Sequence, residues 1–302
     1  MNKNTILSRP IASALVLAAC AASAHAATLV NGTTGAGELF IGFHATGGTG
    51  VGKSVVIDAG SVSALSSLAT GSVTSLGSLG TDLVANFGSN WYERNDLVWG
   101  AVAGVQNTAT ADPTNTLYGG VSGTGSWPLS TVGYTRSANG AQSTVAGRIL
   151  TMASGVTGSF TTAASGASSN IAVEQASDAN SWASWMPNGS NATGLGNAPF
   201  GGFGSPGGQA FEQSFSSGTL ASGFEGALDV FRMFKTGIAD GELANATSGP
   251  GSYQGTAVIG SDGALSFEVL PVAVPEPASI GTLTSAALLG IGFLRRKRAA
   301  RA

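Results

Sequence analysis

The sequence predicts a mostly β protein, organised as a single β-sandwich or jelly-roll-like domain. Only 10% of its 302 residues are charged, whereas an average globular chain carries roughly 25%. Glycine fills 46 positions, yet 43% of the chain is hydrophobic, which is too much for a disordered protein. The apolar residues form many short runs separated by Gly, Asn, Asp and Ser, which is the pattern of strands joined by turns.

The first predicted elements are two strands of a hairpin. The runs ELFIGFH at 38–44 and SVVID at 54–58 are rich in β-branched and aromatic residues, and they flank a nine-residue loop of mainly Gly and Thr. The run DLVWGAVAGV at 96–105 is apolar almost throughout, which is typical of a buried strand.

One helix is predicted over 141–152, because Val145, Ile149 and Met152 recur at helical spacing. The stretch 186–219 is dense in Ser, Gly and Asn and predicts a long loop or an insertion.

Further strands are predicted at 227–235 and 257–260, and the strand at 257–260 forms a closing hairpin with the strand that follows it. Ser-Asp-Gly at 261–263 is a turn signal, and after it Leu265, Phe267 and Val269 alternate with polar residues.

Charge is unevenly distributed along the chain. All sixteen acidic residues lie between positions 27 and 277 but only six of the thirteen basic ones, so this stretch has a net charge of −10. Contacts to phosphates need clustered Lys and Arg, so we expect no nucleic-acid partner. The acidity suits a soluble surface that repels its own copies.

Cysteine and histidine are nearly absent. Cys20 is the one cysteine, and His44 is the one histidine after residue 25. The region after residue 26 therefore has no disulfide, no thiolate nucleophile and no multi-histidine metal site. We expect it to hold no metal and no cofactor, and to have no catalytic residue.

Residues 1–26 have the three parts of a secretory signal peptide. Lys3 and Arg9 supply the positive start, and IASALVLAACAA at 11–22 is the apolar segment. Ala24 and Ala26 place small residues before the expected cleavage site, which leaves Ala27 as the new N-terminus. An alternative stays open, because Leu-Ala-Ala-Cys at 17–20 also resembles a bacterial lipobox, in which Cys20 would be lipidated.

The last 29 residues, 274–302, also have three parts. A weakly apolar run of 17 residues, 278–294, is at the lower limit for spanning a membrane. The basic cluster after it stays cytoplasmic, which places the large body outside. Before the run stands the motif Val274, Pro275, Glu276, Pro277, Ala278 and Ser279, and after it the cluster Arg295, Arg296, Lys297 and Arg298.

This tail resembles the PEP-CTERM sorting signal of Gram-negative bacteria. The resemblance implies a partner, the membrane protease-transpeptidase exosortase, which would cut near Pro275-Glu276-Pro277. The tail would anchor the chain in the inner membrane transiently, and the body would then reach the cell surface or the extracellular matrix. Such substrates are typical of bacteria that make extracellular polysaccharide and biofilm.

The body is also similar to a recurring group of PEP-CTERM proteins of unassigned activity. The segments that carry this looser resemblance are GELFIGFHATGGTG at 37–50, NWYERNDLVWG at 90–100, LDVF at 228–231 and the closing hairpin. The resemblance implies one domain whose final strand leads directly into the sorting signal, and it implies no catalytic residues.

Residues 47–54, GGTGVGKS, match the phosphate-binding P-loop pattern. The residues that follow are β-branched and strand-like, whereas a P-loop is followed by a helix. We therefore interpret the segment as a hairpin loop. His44 could belong to a Ser-His-Asp triad, but no Gly-x-Ser-x-Gly nucleophile elbow in a strand–helix context accompanies it. We therefore interpret His44 as a structural residue.

Carboxylate pairs for glycoside hydrolysis could come from Glu93/Asp96, Glu174/Asp178 or Asp240/Glu242, although such residues near Gly and Asn usually belong to turns. The last pair could also bind calcium in a loop.

Aromatic rings raise the question of sugar binding. Trp99 lies in an apolar run and is predicted to be core, whereas Trp182 and Trp185 lie among Ser and Asn and could be exposed. The remaining candidates are Trp91, Tyr92 and Trp127.

Taken together, the sequence predicts a signal peptide at 1–26, a β-rich extracellular domain at 27–273 and a sorting signal at 274–302. The expected function is that of a noncatalytic surface or matrix protein that is cut by exosortase. One alternative is a secreted protein that binds or hydrolyses extracellular polysaccharide. Another is a lipoprotein or tail-anchored protein that is never cleaved at its C-terminus.

Overall fold

The structure is a computed structural model, and it describes residues 37–106, 112, 114–126, 139–162, 168–185, 212–215, 220–233 and 252–270. The predicted signal peptide and sorting tail lie outside the described residues.

Eleven strands and four α-helices are present in the described part of the chain. The strands are β1 (Glu38–Ala45), β2 (Lys53–Ser61), β3 (Val73–Ser78), β4 (Leu97–Gly104), β5 (Leu117–Ser122), β6 (Phe160–Thr162), β7 (Ser168–Gln175), β8 (Glu212–Ser214), β9 (Gly226–Met233), β10 (Ser252–Ile259) and β11 (Ala264–Glu268). The helices are α1 (Val62–Ser66), α2 (Gly80–Phe87), α3 (Asn139–Ser159) and α4 (Trp182–Trp185), with a 3₁₀ turn at Trp91–Glu93.

All the strands belong to one antiparallel sheet, which confirms the prediction of a mostly β chain. The strand order is β3-β11-β10-β9-β5-β4-β1-β2-β7-β6. β8 pairs with the first half of β4, from Val98 to Gly100, and β5 pairs with its second half, from Val102 to Gly104. One edge of β4 is thus shared by two short strands.

The sheet is curled, and its two faces carry separate cores. Successive strand residues point to opposite faces, so Ile41 and Phe43 belong to the inner core whereas Phe40 belongs to the outer one. β3, at one end of the strand order, reaches β2: a side chain at Gly77 would lie 3.0 Å from Cδ1 of Ile57. This approach brings strands from both ends of the order around the inner core.

Helices α3 and α4 cover the outer face. Val145, Ile149 and Met152 of α3 are buried in the outer core, together with Trp182 and Trp185 of α4. The predicted helix is confirmed and is longer than expected. Along this helix the hydroxyl groups of Thr151, Ser154, Thr157 and Ser159 donate to backbone oxygens four residues earlier.

The predicted strands of the first hairpin, of the run after Asp96 and of the closing hairpin are also confirmed. For the stretch 186–219, predicted as a long loop or an insertion, a loop is wrong at 212–214. There the chain forms β8 and buries Phe215, which stacks against Trp99 and Phe43 of the inner core.

The antiparallel register gives the sheet two opposite ends. At the tail end, β11 finishes at Glu268, β1 begins at Glu38 and β9 finishes at Met233. At the far end lie the turn at 261–263 and the loop between β1 and β2. The predicted sorting tail follows β11 and therefore leaves the described body from the tail end.

Candidate functional site

The glycine-rich segment that matches the P-loop pattern is the hairpin loop between β1 and β2. Arg94 holds it closed by donating to the backbone oxygens of Gly47 at 2.9 Å and Thr49 at 2.7 Å. The same guanidinium donates to the backbone oxygen of Phe87 and to both carboxylate oxygens of Asp96. The loop thus directs carbonyl oxygens toward a cation, whereas a phosphate site needs its N–H groups.

Lys53, the lysine of the pattern, begins strand β2 and donates to Oδ1 of Asn86 at 3.3 Å. Gly48, Gly50 and Gly52 all have positive φ, between 61° and 83°, so the turn requires glycine there for its backbone conformation. The interpretation of this segment as a hairpin loop is confirmed.

A second polar cluster lies on the outer face of the sheet, across β7, β2, β1, β4 and β8, which run side by side in this order. Nδ1 of His44 lies 2.8 Å from Oε1 of Glu212, and both side chains are buried. Ser54 pairs with His44 in the β1–β2 register, and its hydroxyl group donates to Oε2 of Glu174 at 3.4 Å. We call His44, Ser54, Glu174 and Glu212 the outer-face cluster.

Trp182 of α4 covers the outer-face cluster and connects its two carboxylates. Its backbone N–H donates to Glu174 at 2.8 Å, and its indole N–H donates to Glu212 at 3.2 Å. The ring lies against Gly42 of β1 so closely that a Cβ at this position would overlap it. Gly42 is therefore required for close packing.

Burial dominates the electrostatics of the cluster. Glu174 is 2% exposed, and this desolvation raises its pKa to about 7, while the N–H of Trp182 and the hydroxyl of Ser54 lower it in part. A carboxyl with such a pKa binds and releases a proton near neutrality. It is positioned to hold α4 on the sheet, and Trp182 shields it from solvent.

A pair of carboxyl groups lies at the tail end, where β1 begins and β2 finishes. Burial, and secondarily the charge of Asp58, raises the pKa of Glu38 to about 7. Burial likewise raises the pKa of Asp58, which accepts a hydrogen bond from the backbone N–H of Gly60 at 2.9 Å.

The structure corrects the interpretation of Trp182 and Trp185 as exposed rings, since they are 0% and 9% exposed. Ser and Asn neighbours suggested a surface, but the rings fill the space between α3 and the sheet. Trp99 is core as predicted, and Trp91 is also buried. Trp127 lies outside the described residues.

The candidate carboxylate pairs do not form a shared site where the structure describes them. Asp96 forms an ion pair with Arg94, whereas Glu93 is exposed. Glu174 is buried, whereas Asp178 is exposed. Asp240 and Glu242 lie outside the described residues.

Sequence reasoning missed Arg94 and Glu212. Arg94 is one of only six basic residues between positions 27 and 277, and this scarcity could have drawn attention to it. Glu212 lies in a Gly- and Ser-rich stretch, and the sequence FEQSF at 211–215 has no apolar–polar alternation that would predict a strand.

The part of the chain that the structure describes contains no group of three or more His, Cys, Asp or Glu side chains suited to a metal ion. It also contains no helix of the length and hydropathy needed to span a bilayer. No family model matches the chain, and neither the curated proteins nor the solved structures include a significant match.

Proposed function

We propose that the chain is an exported cell-surface or extracellular-matrix protein with a noncatalytic body, and that exosortase processes it at Pro275-Glu276-Pro277. The observation that carries the proposal is the order and spacing of the proline motif, the apolar run and the basic cluster in residues 274–302. The two prolines favour an extended backbone that cannot join a helix or sheet. Glu276 resists entry into the hydrocarbon and keeps the cleavable segment at the interface.

Support for the connection between body and tail comes from the last described residues. The N–H of Val269 donates to the backbone oxygen of Ser72 at 3.0 Å, and its own oxygen accepts from Gly71 at 2.7 Å. Leu270 is 9% exposed. The body thus extends to within four residues of Val274, which agrees with a domain whose final strand leads into a sorting signal.

Support for a noncatalytic body comes from the outer-face cluster, because Trp182 covers both of its carboxylates. The sandwich or jelly-roll arrangement is part of the proposal. It is supported by an inner core to which strands from both ends of the sheet contribute. The polysaccharide alternative relied on aromatic rings and on carboxylate pairs, and the burial of Trp182 and Trp185 removes two of those rings as contacts for a sugar.

Mass spectrometry of the mature termini tests the proposal, in native cells with and without their sorting protease. We expect a body that starts at Ala27 and ends near Pro277 only when the protease is present. A Pro277→Ala variant should accumulate with its tail intact, whereas the matched change Pro271→Ala, just before the motif, should be processed like the wild type. A chain ending at Ala302 in both strains contradicts the proposal.

The same spectra decide the lipoprotein alternative. A diacylglycerol-modified Cys20 at the mature N-terminus would establish it, and an N-terminus at Ala27 would exclude it. A Cys20→Ser variant with unchanged export adds independent support for ordinary signal-peptide cleavage.

A further inference from the structure

One stretch of the body is uncharged over 23 consecutive residues, from Ala59 to Thr81. It contains α1, the connection to β3, and β3 itself. Much of it is exposed: Ala69, Thr70 and Gly71 lie at the surface, and Val73 is 64% exposed. This surface lies beside the exit of the tail, because Gly71 and Ser72 bond directly to Val269.

The exposed acidic side chains lie at the opposite end. Among the described residues, the carboxylates at exposed positions are Glu93, Asp178 and Asp262. Glu93 ends the 3₁₀ turn beside the loop that Arg94 closes, and Asp178 follows β7, where Ala176 bonds to Gly52. Asp262 is in the turn before β11. All three therefore belong to the far end.

The described carboxyl groups of the tail end are less exposed. Asp58 and Asp112 are buried at 5% and 6% exposure, and Asp112 lies 3.4 Å from Arg232. Glu38 and Glu268 are half-buried, and burial raises the pKa of each. The described body is thus polarised, with its exposed negative charge remote from the tail. The connection 234–251, which carries Lys235, Asp240 and Glu242, lies outside the described residues.

The length of the connection limits how far the body can lie from the membrane. Leu270 is fixed to the body, and Pro275 is five residues later. Even a fully extended chain spans only about 17 Å over five residues. If the sorting motif is at the membrane surface, the tail end is within roughly two Debye lengths of the lipid headgroups. Negative charge at this end that came within one Debye length of anionic headgroups would be repelled by them.

We propose that the uncharged surface at 64–73 is the face with which the folded body lies on the anionic outer surface of the inner membrane while the tail is still embedded. The inference rests on the proposed function. Its basis is the short connection after Leu270, the absence of charge from Ala59 to Thr81, and the position, within the described part of the chain, of the exposed acids at the far end.

The test measures how close each end lies to the bilayer. The chain after residue 20 has no cysteine, so in a Cys20→Ser background a single cysteine can carry a fluorophore at Thr70, at Ser261 or at Ser279. Thr70 and Ser261 lie beyond opposite ends of β11, whose five residues span about 17 Å at roughly 3.3 Å per residue. The full chain with its intact tail is reconstituted into vesicles of phosphatidylethanolamine and phosphatidylglycerol that contain a headgroup-attached quencher.

We expect several-fold stronger quenching for Thr70→Cys than for Ser261→Cys, with strong quenching for Ser279→Cys. Equal quenching at Thr70 and Ser261, or stronger quenching at Ser261, overturns the inference and leaves the proposed function intact. Absence of quenching at Ser279 shows that the tail does not enter the bilayer, and this contradicts the proposed function itself.

A charge reversal adds a test in cells. Thr70→Glu should slow tail removal several-fold, whereas Thr70→Lys should not, since the two changes place similar bulk at the same exposed position. Ser261→Glu serves as the control at the far end. Equal processing rates for Thr70→Glu and Thr70→Lys contradict the inference, provided that both purified bodies melt like the wild type.

Discussion

Arg94 and Asp96 form a two-point ion pair, with Nε donating to Oδ1 and Nη2 to Oδ2, each at 2.8 Å. The bond between these side chains lowers the pKa of Asp96 and raises that of Arg94. It also orients the guanidinium so that its remaining N–H groups meet Gly47, Thr49 and Phe87. The pair thus connects two segments, 37–50 and 90–100, that are distant in sequence.

Replacement of Arg94 by lysine should destabilise the protein by about 2 kcal/mol, because an ammonium group cannot match a fork of five donors. Chemical denaturation measures the free energy of unfolding. Glu93→Gln is the matched control, since this neighbour is exposed. If Arg94→Lys unfolds at the same denaturant concentration as the control, the guanidinium does not hold the loop.

Mg-ATP should leave the melting temperature unchanged, although residues 47–54 match the phosphate-binding pattern. The loop is closed around Arg94, and Lys53 is already bonded to Asn86. Thermal melting with and without Mg-ATP measures this, with Mg²⁺ alone as the control. An increase of several degrees that Lys53→Ala abolishes would contradict the assignment as a hairpin loop.

Substitution of Gly42 by alanine should destabilise the protein by on the order of 3 kcal/mol, because the new methyl group displaces the ring of Trp182. Gly158→Ala is the control: a Cβ added to this helical glycine would meet no neighbour within 4 Å, so alanine should be neutral or stabilise by about 0.5–1 kcal/mol. Denaturant titration compares the two.

A second substitution makes the Gly42 prediction specific. Trp182→Leu removes the part of the ring that the new methyl group would strike. If the proposed overlap is the cause, the cost of Gly42→Ala should be smaller in the Trp182→Leu background than in the wild type. Simple additivity of the two changes would show that the cost arises elsewhere.

Stability should decrease as the pH rises from about 5 to about 8. Burial raises the pKa of Glu174 and of Glu38 to about 7, so the folded state holds protons that the unfolded state releases near its ordinary carboxyl pKa. The stabilisation is complete below that ordinary value and is lost as the pH rises through about 7. For Glu174 the loss is on the order of 3 kcal/mol.

Urea denaturation across this pH range measures the effect. Glu174→Gln keeps hydrogen-bonding atoms but cannot ionise, so the variant should lose part of the pH dependence. Glu93→Gln, the same change at an exposed site, should leave the dependence as in the wild type. A pH profile of Glu174→Gln that coincides with that of the wild type would show that Glu174 is not its source.

The strands with strong apolar alternation could be predicted from the sequence, and the others could not. The first hairpin and the run after Asp96 have continuous β-branched or aromatic residues. β5, in contrast, contains Gly119 and Gly120, which resemble a turn in sequence. A Cβ at Gly120 would lie 3.1 Å from the Cβ of Ala101 and 3.2 Å from the Cβ of Leu228, on the two neighbouring strands. Glycine avoids this tight contact.

The candidate sites show a similar division. That residues 47–54 do not form a P-loop could be predicted, because the β-branched residues that follow them favour a strand over a helix. The outer-face cluster could not, because it joins His44 to Glu212 and Ser54 to Glu174 across more than 100 positions each. The burial of Trp182 depends on the small size of Gly42, a relationship between strands that local composition does not contain.

The pairing of β3 has a consequence for the order of folding. Among the described strands β3 pairs only with β11, so residues 73–78 wait for partners that are synthesised almost 200 positions later. Contacts of such separation form slowly. Because the chain is synthesised from its N-terminus, the sheet can be completed only after residues 264–268 have been made, shortly before the proline motif. Completion of the fold and arrival of the sorting tail are thus nearly simultaneous events.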